Sequence, residues 1–199
     1  MNYLAHAYLS FNQPEVLVGN MVSDYVKGKK QFDYPGGIRA GIQLHRNIDS
    51  FTDSHTATKK IAAVFKPYYG LYSGAFTDIV YDYFLANDVN EFTEGRPQLM
   101  EFTEQTYAQL TLHSNWFPAP FAAMFPYMQS QNWLYNYQYD WGIQKSFTGL
   151  VHRAKYLHES NMAFDVFLKN KDLFKEQYNI FFNSVKIFAA DTLQQLLKH

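Results

Sequence analysis

The run Leu44-His45-Arg46-Asn47-Ile48-Asp49-Ser50-Phe51-Thr52-Asp53-Ser54-His55 holds the densest set of side chains capable of chemistry. On a helix, His45, Asp49 and Asp53 are successive i, i+4 neighbours, so they line one face and can share a cation or a proton network. Taken alone, such a stripe is better read as a solvated face with a weak His–Asp pair. Three further features weigh against that reading. Asp78 and Asp82 repeat the spacing of four among Phe76, Ile79, Val80, Phe84 and Leu85. Asp24 lies among Val18, Met21, Val22, Tyr25 and Val26, and His6 among Leu4, Ala5, Ala7 and Leu9. Carboxylates and imidazoles on such apolar stretches face an interior or a cleft and need partners there. Gathered in one site, several carboxylates repel unless protons or a cation neutralise them, which points to a divalent metal.

The chain contains no cysteine, so a metal would be held by His, carboxylate or water, and thiol nucleophiles and disulfides are excluded. A mixed His and Asp set suits Mn²⁺, Fe²⁺ or Zn²⁺, or Mg²⁺ with fewer imidazoles. Such an ion lowers the pKa of water and, with Arg46, offsets charge on a transferring phosphoryl group, so the chemistry implied is phosphoester hydrolysis. No glycine-rich phosphate loop and no G-x-S-x-G nucleophile elbow occurs. His113, His152, His158 and His199 have no matching acidic cluster and are assigned to surface or structural positions.

Apolar residues recur at helical spacing and strict alternation is scarce, which predicts an all-α fold, a single-domain helical bundle over residues 1–199. The first helix is expected around Asn2–Ser10 and the second from the turn at Asn12-Gln13-Pro14-Glu15 to about Lys27, closed by Gly28. Helices are further expected at about Ile38–Thr52, at Ser54–Phe65 stopped by Pro67 and Gly70, and at Tyr72–Asn87. Four more follow: Pro97–Leu112, Pro118–Gln129, Gly142–Phe167 with a possible break, and Lys171–Leu197, while Trp133–Trp141 reads as irregular.

The composition, 47% hydrophobic with 18 Phe and 16 Tyr in 199 residues, is that of a folded core and excludes disorder. A net charge of −1 supplies no overall field for nucleic acid or an anionic membrane. There is no signal-peptide pattern and no run long enough to span a bilayer, so no nucleic-acid or membrane partner and a cytoplasmic location are expected.

Several spaced blocks resemble the acyl carrier protein phosphodiesterases: Met1-Asn2-Tyr3-Leu4-Ala5-His6, Gly19 to Gly28, Gly41 to His55, Asp78 to Leu85, and Gly142-Ile143-Gln144-Lys145-Ser146-Phe147. The resemblance implies a divergent helical member of the HD phosphohydrolase superfamily, using Mn²⁺ or a similar ion to release 4′-phosphopantetheine from a serine of holo acyl carrier protein. It implies metal ligation by Asp24, His45, Asp49 and Asp78, with His6, Arg46, Asp53 and Asp82 as catalytic or supporting groups. The superfamily's adjacent His-Asp pair is absent, because Arg46 follows His45. An acidic carrier protein would meet the basic residues Lys27, Lys29, Lys30, Arg39, Arg46, Lys59 and Lys60, which gather in the first third of the chain. Two rival readings are a metal phosphohydrolase acting on a nucleotide and a non-catalytic helical binding module using the aromatic stretch around Trp133 and Trp141.

Overall fold

The computed structural model describes residues 1–154, 157 and 159–198. The all-α expectation is met: the described residues form eleven α-helices and no strand. They are α1 (Tyr3–Tyr8), α2 (Pro14–Val22), α3 (Gly36–Ser54), α4 (Thr56–Tyr69), α5 (Ser73–Ala86), α6 (Arg96–Leu112), α7 (Ala119–Ser130), α8 (Trp133–Asn136), α9 (Asp140–Arg153), α10 (Asn161–Lys169) and α11 (Lys171–Leu196).

Helix α5 is the hub, because Phe76 and Thr77, and then Ile79 through Ala86 without interruption, are all buried. A helix apolar on every side belongs in the middle of a fold, and α1, α4, α9 and α11 pack around this one. Phe65 of α4 stacks on Phe76 of α5 at 5.5 Å and on Phe174 of α11 at 5.4 Å, while Phe147 of α9 meets Phe76 at 5.4 Å. Truncating one such ring costs about 3–5 kcal/mol, so the aromatic excess is spent on joining helices that are distant in sequence.

The crossing that positions the candidate chemistry is α2 on α3. Gly19 and Gly41 let the two backbones touch: a Cβ on Gly19 would lie 1.9 Å from the Ile38 carbonyl oxygen, and one on Gly41 would lie 2.2 Å from that of Val16. Backbone cannot yield as a side-chain tip can, so Gly41→Ala is expected to cost about 3 kcal/mol or more, read as a lower midpoint in urea denaturation. An unchanged midpoint would show that the helices separate freely.

Three boundaries differ from expectation. The second helix stops at Val22, not near Lys27, and a 3-10 turn (Ser23–Tyr25) follows it, with Ser23 Oγ donating to the Ile42 carbonyl at 3.3 Å. Val26 is extended and Gly28 has φ +57°, both incompatible with continued winding, and Gly28 opens a second 3-10 segment (Gly28–Asp33). Helix α4 passes through Pro67 and ends where Gly70 takes φ +53°. So near the end the proline removes only the bond to Ala63, whose residue is exposed and whose carbonyl water can satisfy. Part of the aromatic stretch is helical, as α8, whereas the break allowed for between Gly142 and Phe167 is present and separates α9 from α10.

Candidate metal centre

Helix α1 has only six residues and is too short to be stable alone. Its first amides are held from outside. Asp82 of α5, fully buried, accepts from the Leu4 amide at 2.7 Å through Oδ2 and from the Ala5 amide at 3.1 Å through Oδ1. Asn2, at the cap position, is instead committed to the Tyr137 hydroxyl at 2.9 Å. A carboxylate at a helix N-terminus is the favourable pairing. Burial nevertheless pushes Asp82 up to about 7, the two amides only partly opposing it. Asp82 therefore fixes the helix that carries His6.

One residue orients both imidazoles. Asn20 on α2 is completely buried, and its Nδ2 donates to the His6 carbonyl at 2.8 Å and to Ser10 Oγ at 3.1 Å. Its side-chain oxygen lies 2.8 Å from His6 Nδ1, and its main-chain oxygen lies 2.7 Å from His45 Nδ1. Both oxygens can only accept, so each Nδ1 carries the hydrogen and, in the neutral ring, each Nε2 presents a lone pair. The two rings stack at 3.9 Å with 16° between their planes, which brings the two Nε2 atoms to the same place.

Asp49 occupies that place. Its Oδ1 is 3.2 Å from His6 Nε2 and its Oδ2 is 3.1 Å from His45 Nε2, and Asp24 Oδ1 approaches His45 Nε2 at 3.2 Å. The N-terminal amine adds contacts to Asp49 at 3.4 Å and to Asp78 at 3.1 Å. Burial, and then the charge of His45, pulls His6 down to about 4. Burial also pulls on His45, but hydrogen bonds to Asp24 and Asp49 outweigh it and carry that ring up to about 9. Burial pushes the Asp49 carboxyl up, and the close approach of the His45 and His6 rings, with the charge of the N-terminal amine, overcomes it and holds the group well below the usual carboxylate range. The hydrogen bond to His45 likewise lowers Asp24, while burial raises Asp78.

The arrangement fits a divalent cation. Among the described residues His6, His45 and Asp49 form a group whose ligand atoms all lie within 4.8 Å of one another. His6 Nε2 is buried and has no hydrogen-bond partner, its approach to Asp49 being badly angled for one. An orphaned buried nitrogen aimed at a carboxylate is costly without a proton or a metal between them. Two imidazole nitrogens with one or two carboxylates are a donor set for Mn²⁺, Fe²⁺ or Zn²⁺. The Nδ1 hydrogen bonds to Asn20 are the outer support that ligating histidines usually have.

The structure thus brings His6, His45, Asp49 and Asp24 together, with Asp78 one amine away. Asp24 is not on the apolar helix where the sequence placed it. It stands on the 3-10 turn after α2, with 69% of its side chain exposed. Arg46 turns to the following segment, donating to the Val26 carbonyl at 2.7 Å and to Gln31 Oε1 at 3.0 Å, and so ties that segment to α3. Asp53 is exposed, one turn beyond Asp49. His55 caps α4 by accepting from the Ala57 amide at 3.2 Å. His113 is bonded to its own helix at the Gln109 carbonyl and His152 is exposed, whereas His158 and His199 lie outside the described residues. Sequence reasoning missed Asn20 as the holder of both rings. Its signal was a lone amide in the apolar run Val16, Leu17, Val18, Met21 and Val22.

Fold and site together define an all-α protein with a buried imidazole–carboxylate centre drawn from α1, α2, α3 and the turn after α2. Comparison places that class. Residues 1–185 match the family model for acyl carrier protein phosphodiesterase, and the chain belongs to that family. It is similar to the acyl carrier protein phosphodiesterase of Yersinia pestis, 33% identical over 69% of this chain and 70% of that one. It is also similar to that of Klebsiella pneumoniae strain 342, 31% identical over 77% and 79% respectively. No solved structure matches the chain. No helix among the described residues is long and apolar enough to cross a membrane.

Proposed function

We propose that this chain hydrolyses the phosphodiester between 4′-phosphopantetheine and a serine of holo acyl carrier protein, giving the apo carrier and 4′-phosphopantetheine. The observation that carries the reading is the family match over residues 1–185, which encloses the whole His–Asp centre. His6, His45 and Asp49 are the proposed ligands, since they converge from two helices with their Nδ1 positions already engaged. A bound Mn²⁺ or similar ion would supply Lewis acidity toward the phosphate and a lowered pKa for water. Asp24, ionised and exposed at the rim, is the proposed carrier of the proton. The water's hydroxyl ends on phosphorus, the bond from phosphorus to the serine oxygen breaks, and the proton passes to that oxygen. Asp82 and Asn20 act only by holding His6 and His45 in place. Lys27, Lys29 and Lys30 are exposed just beyond Asp24 and offer a positive face to an acidic carrier.

Incubation with holo acyl carrier protein and Mn²⁺ should give a carrier lighter by one phosphopantetheine in mass spectrometry. Intact holo carrier across several divalent ions, with turnover of nucleotides instead, would overturn the assignment in favour of a small-molecule phosphohydrolase.

The metal reading has its own pH signature. At pH 7 His45, with its pKa near 9, holds a proton that a ligand nitrogen must lose, whereas His6, near 4, holds none. Protons compete with the metal, so affinity should rise about tenfold per pH unit from 7 toward 9 and level off above. About one proton should be released per ion bound at pH 7, measurable by calorimetry in buffers of different ionisation enthalpy. Binding with no proton release would show that His45 gives up no proton to the ion at pH 7.

A further inference from the structure

Beside the metal centre lies a cavity of about 340 Å³, within the range of about 300–1,000 Å³ usual for small-molecule sites. Its floor is Asn2 and Tyr3, the residues between the amine that pairs with Asp49 and the helix that carries His6. Tyr3 forms the partition. Its hydroxyl meets that of Tyr25 at 3.2 Å, and burial pushes the phenol up, with Asp24 adding to the rise from one side and Arg153 opposing it. The opposite wall is the aromatic stretch that the fold leaves partly uncovered, with Trp141 46% exposed and Trp133 half-buried. Helix α9 completes the wall with Ser146, Gly149 and Arg153.

Resting on the proposed function, we propose that this cavity seats the pantetheine arm of the holo carrier, leaving the phosphate at the boundary between Arg153 and the His–Asp centre. The arm is uncharged beyond its phosphate. It has two amides and a hydroxyl, which can donate to the side-chain oxygens of Asn2, Asn136 and Ser146, themselves held by donation to Tyr137, Gln131 and Gly142, and a gem-dimethyl group that suits the faces of Trp133 and Trp141. A cavity with aromatic walls and a few polar groups is the usual form of such a site. With the arm in the cavity and its phosphate toward the His–Asp centre, only a carrier bearing the arm is held in register.

The test fills the cavity without touching the metal centre. A Cβ at Gly149 meets only the Arg153 guanidinium at 3.6 Å, and leucine is the better helix former, so Gly149→Leu should fold. Pantetheine titrated into the wild type should change tryptophan fluorescence saturably through Trp133 and Trp141. Gly149→Leu, and independently Trp141→Ala, should weaken that binding at least about tenfold. Gly149→Leu should also lower kcat/KM for holo carrier about tenfold or more while leaving metal-dependent hydrolysis of bis(p-nitrophenyl) phosphate unchanged. Wild-type affinity for pantetheine in both variants, or an equal loss on the generic diester, would overturn the proposal. If the wild type binds pantetheine in a Gly149-dependent way but leaves holo carrier intact, the carrier-protein reading falls and the cavity assignment stands.

Discussion

Asp49→Asn is expected to lower kcat on holo acyl carrier protein by about a thousandfold or more, the largest effect of any single substitution here. Among the described residues Asp49 is the carboxylate that approaches both Nε2 atoms, at 3.2 and 3.1 Å. Asparagine keeps its volume but removes the charge that gathers the two rings and the N-terminal amine around one point. Its side chain is 40% exposed and Asp78 still faces the amine, so the fold should persist, as circular dichroism can verify. Asp53→Asn supplies the contrast: that residue is exposed on the same helix, and its loss should leave turnover within about tenfold of wild type. Equal effects at the two positions would mean that the stripe on α3 acts through general charge and not through the centre.

Asn20→Leu should act on stability and metal affinity together. The change strands His6 Nδ1, whose partner is at 2.8 Å, and takes one donor each from the His6 carbonyl and Ser10 Oγ, which keep their bond to each other at 2.8 Å, in a site with no solvent. One stranded buried donor of this kind costs about 1–3 kcal/mol, seen as a lower urea midpoint in metal-free protein. His45 keeps its partner, which is main chain, so one ligand loses its fixed tautomer and the other does not. Loss of such support to a ligand typically costs about 10–100-fold in metal affinity, to be read by calorimetric titration with Mn²⁺. Unaltered affinity would show that ring orientation is set by stacking alone.

The part of the site on α3 was legible because its geometry is local: a spacing of four puts His45 and Asp49 on one face whatever surrounds the helix. His6 was legible as a polar residue in an apolar stretch. What joins them was not, because the contact of α2 with α3 depends on two glycines whose pairing emerges only when the helices cross. Arg46 shows the opposite failure. Its place beside His45 in sequence suggested a shared role, yet adjacent helical residues point about 100° apart, and the guanidinium serves the segment from Val26 to Gln31. Asp82 was rightly read as a buried acid in need of a partner, but backbone amides carry no sequence signature. Trp133–Trp141 resisted reading because it is divided between the core, at Leu134 and Tyr137, and a cavity wall, at Trp133, Asn136 and Trp141, so that no single period runs through it.

The grip of Asp82 on Leu4 and Ala5 also decides how the molecule breathes. The first residues of a chain are ordinarily the first to fray and to exchange their amide hydrogens with solvent. Here those two amides are bonded to a buried carboxylate on the central helix α5, so their exchange should be slowed well below that of a free chain end. A six-residue helix that carries His6 thereby draws its rigidity from the centre of the protein.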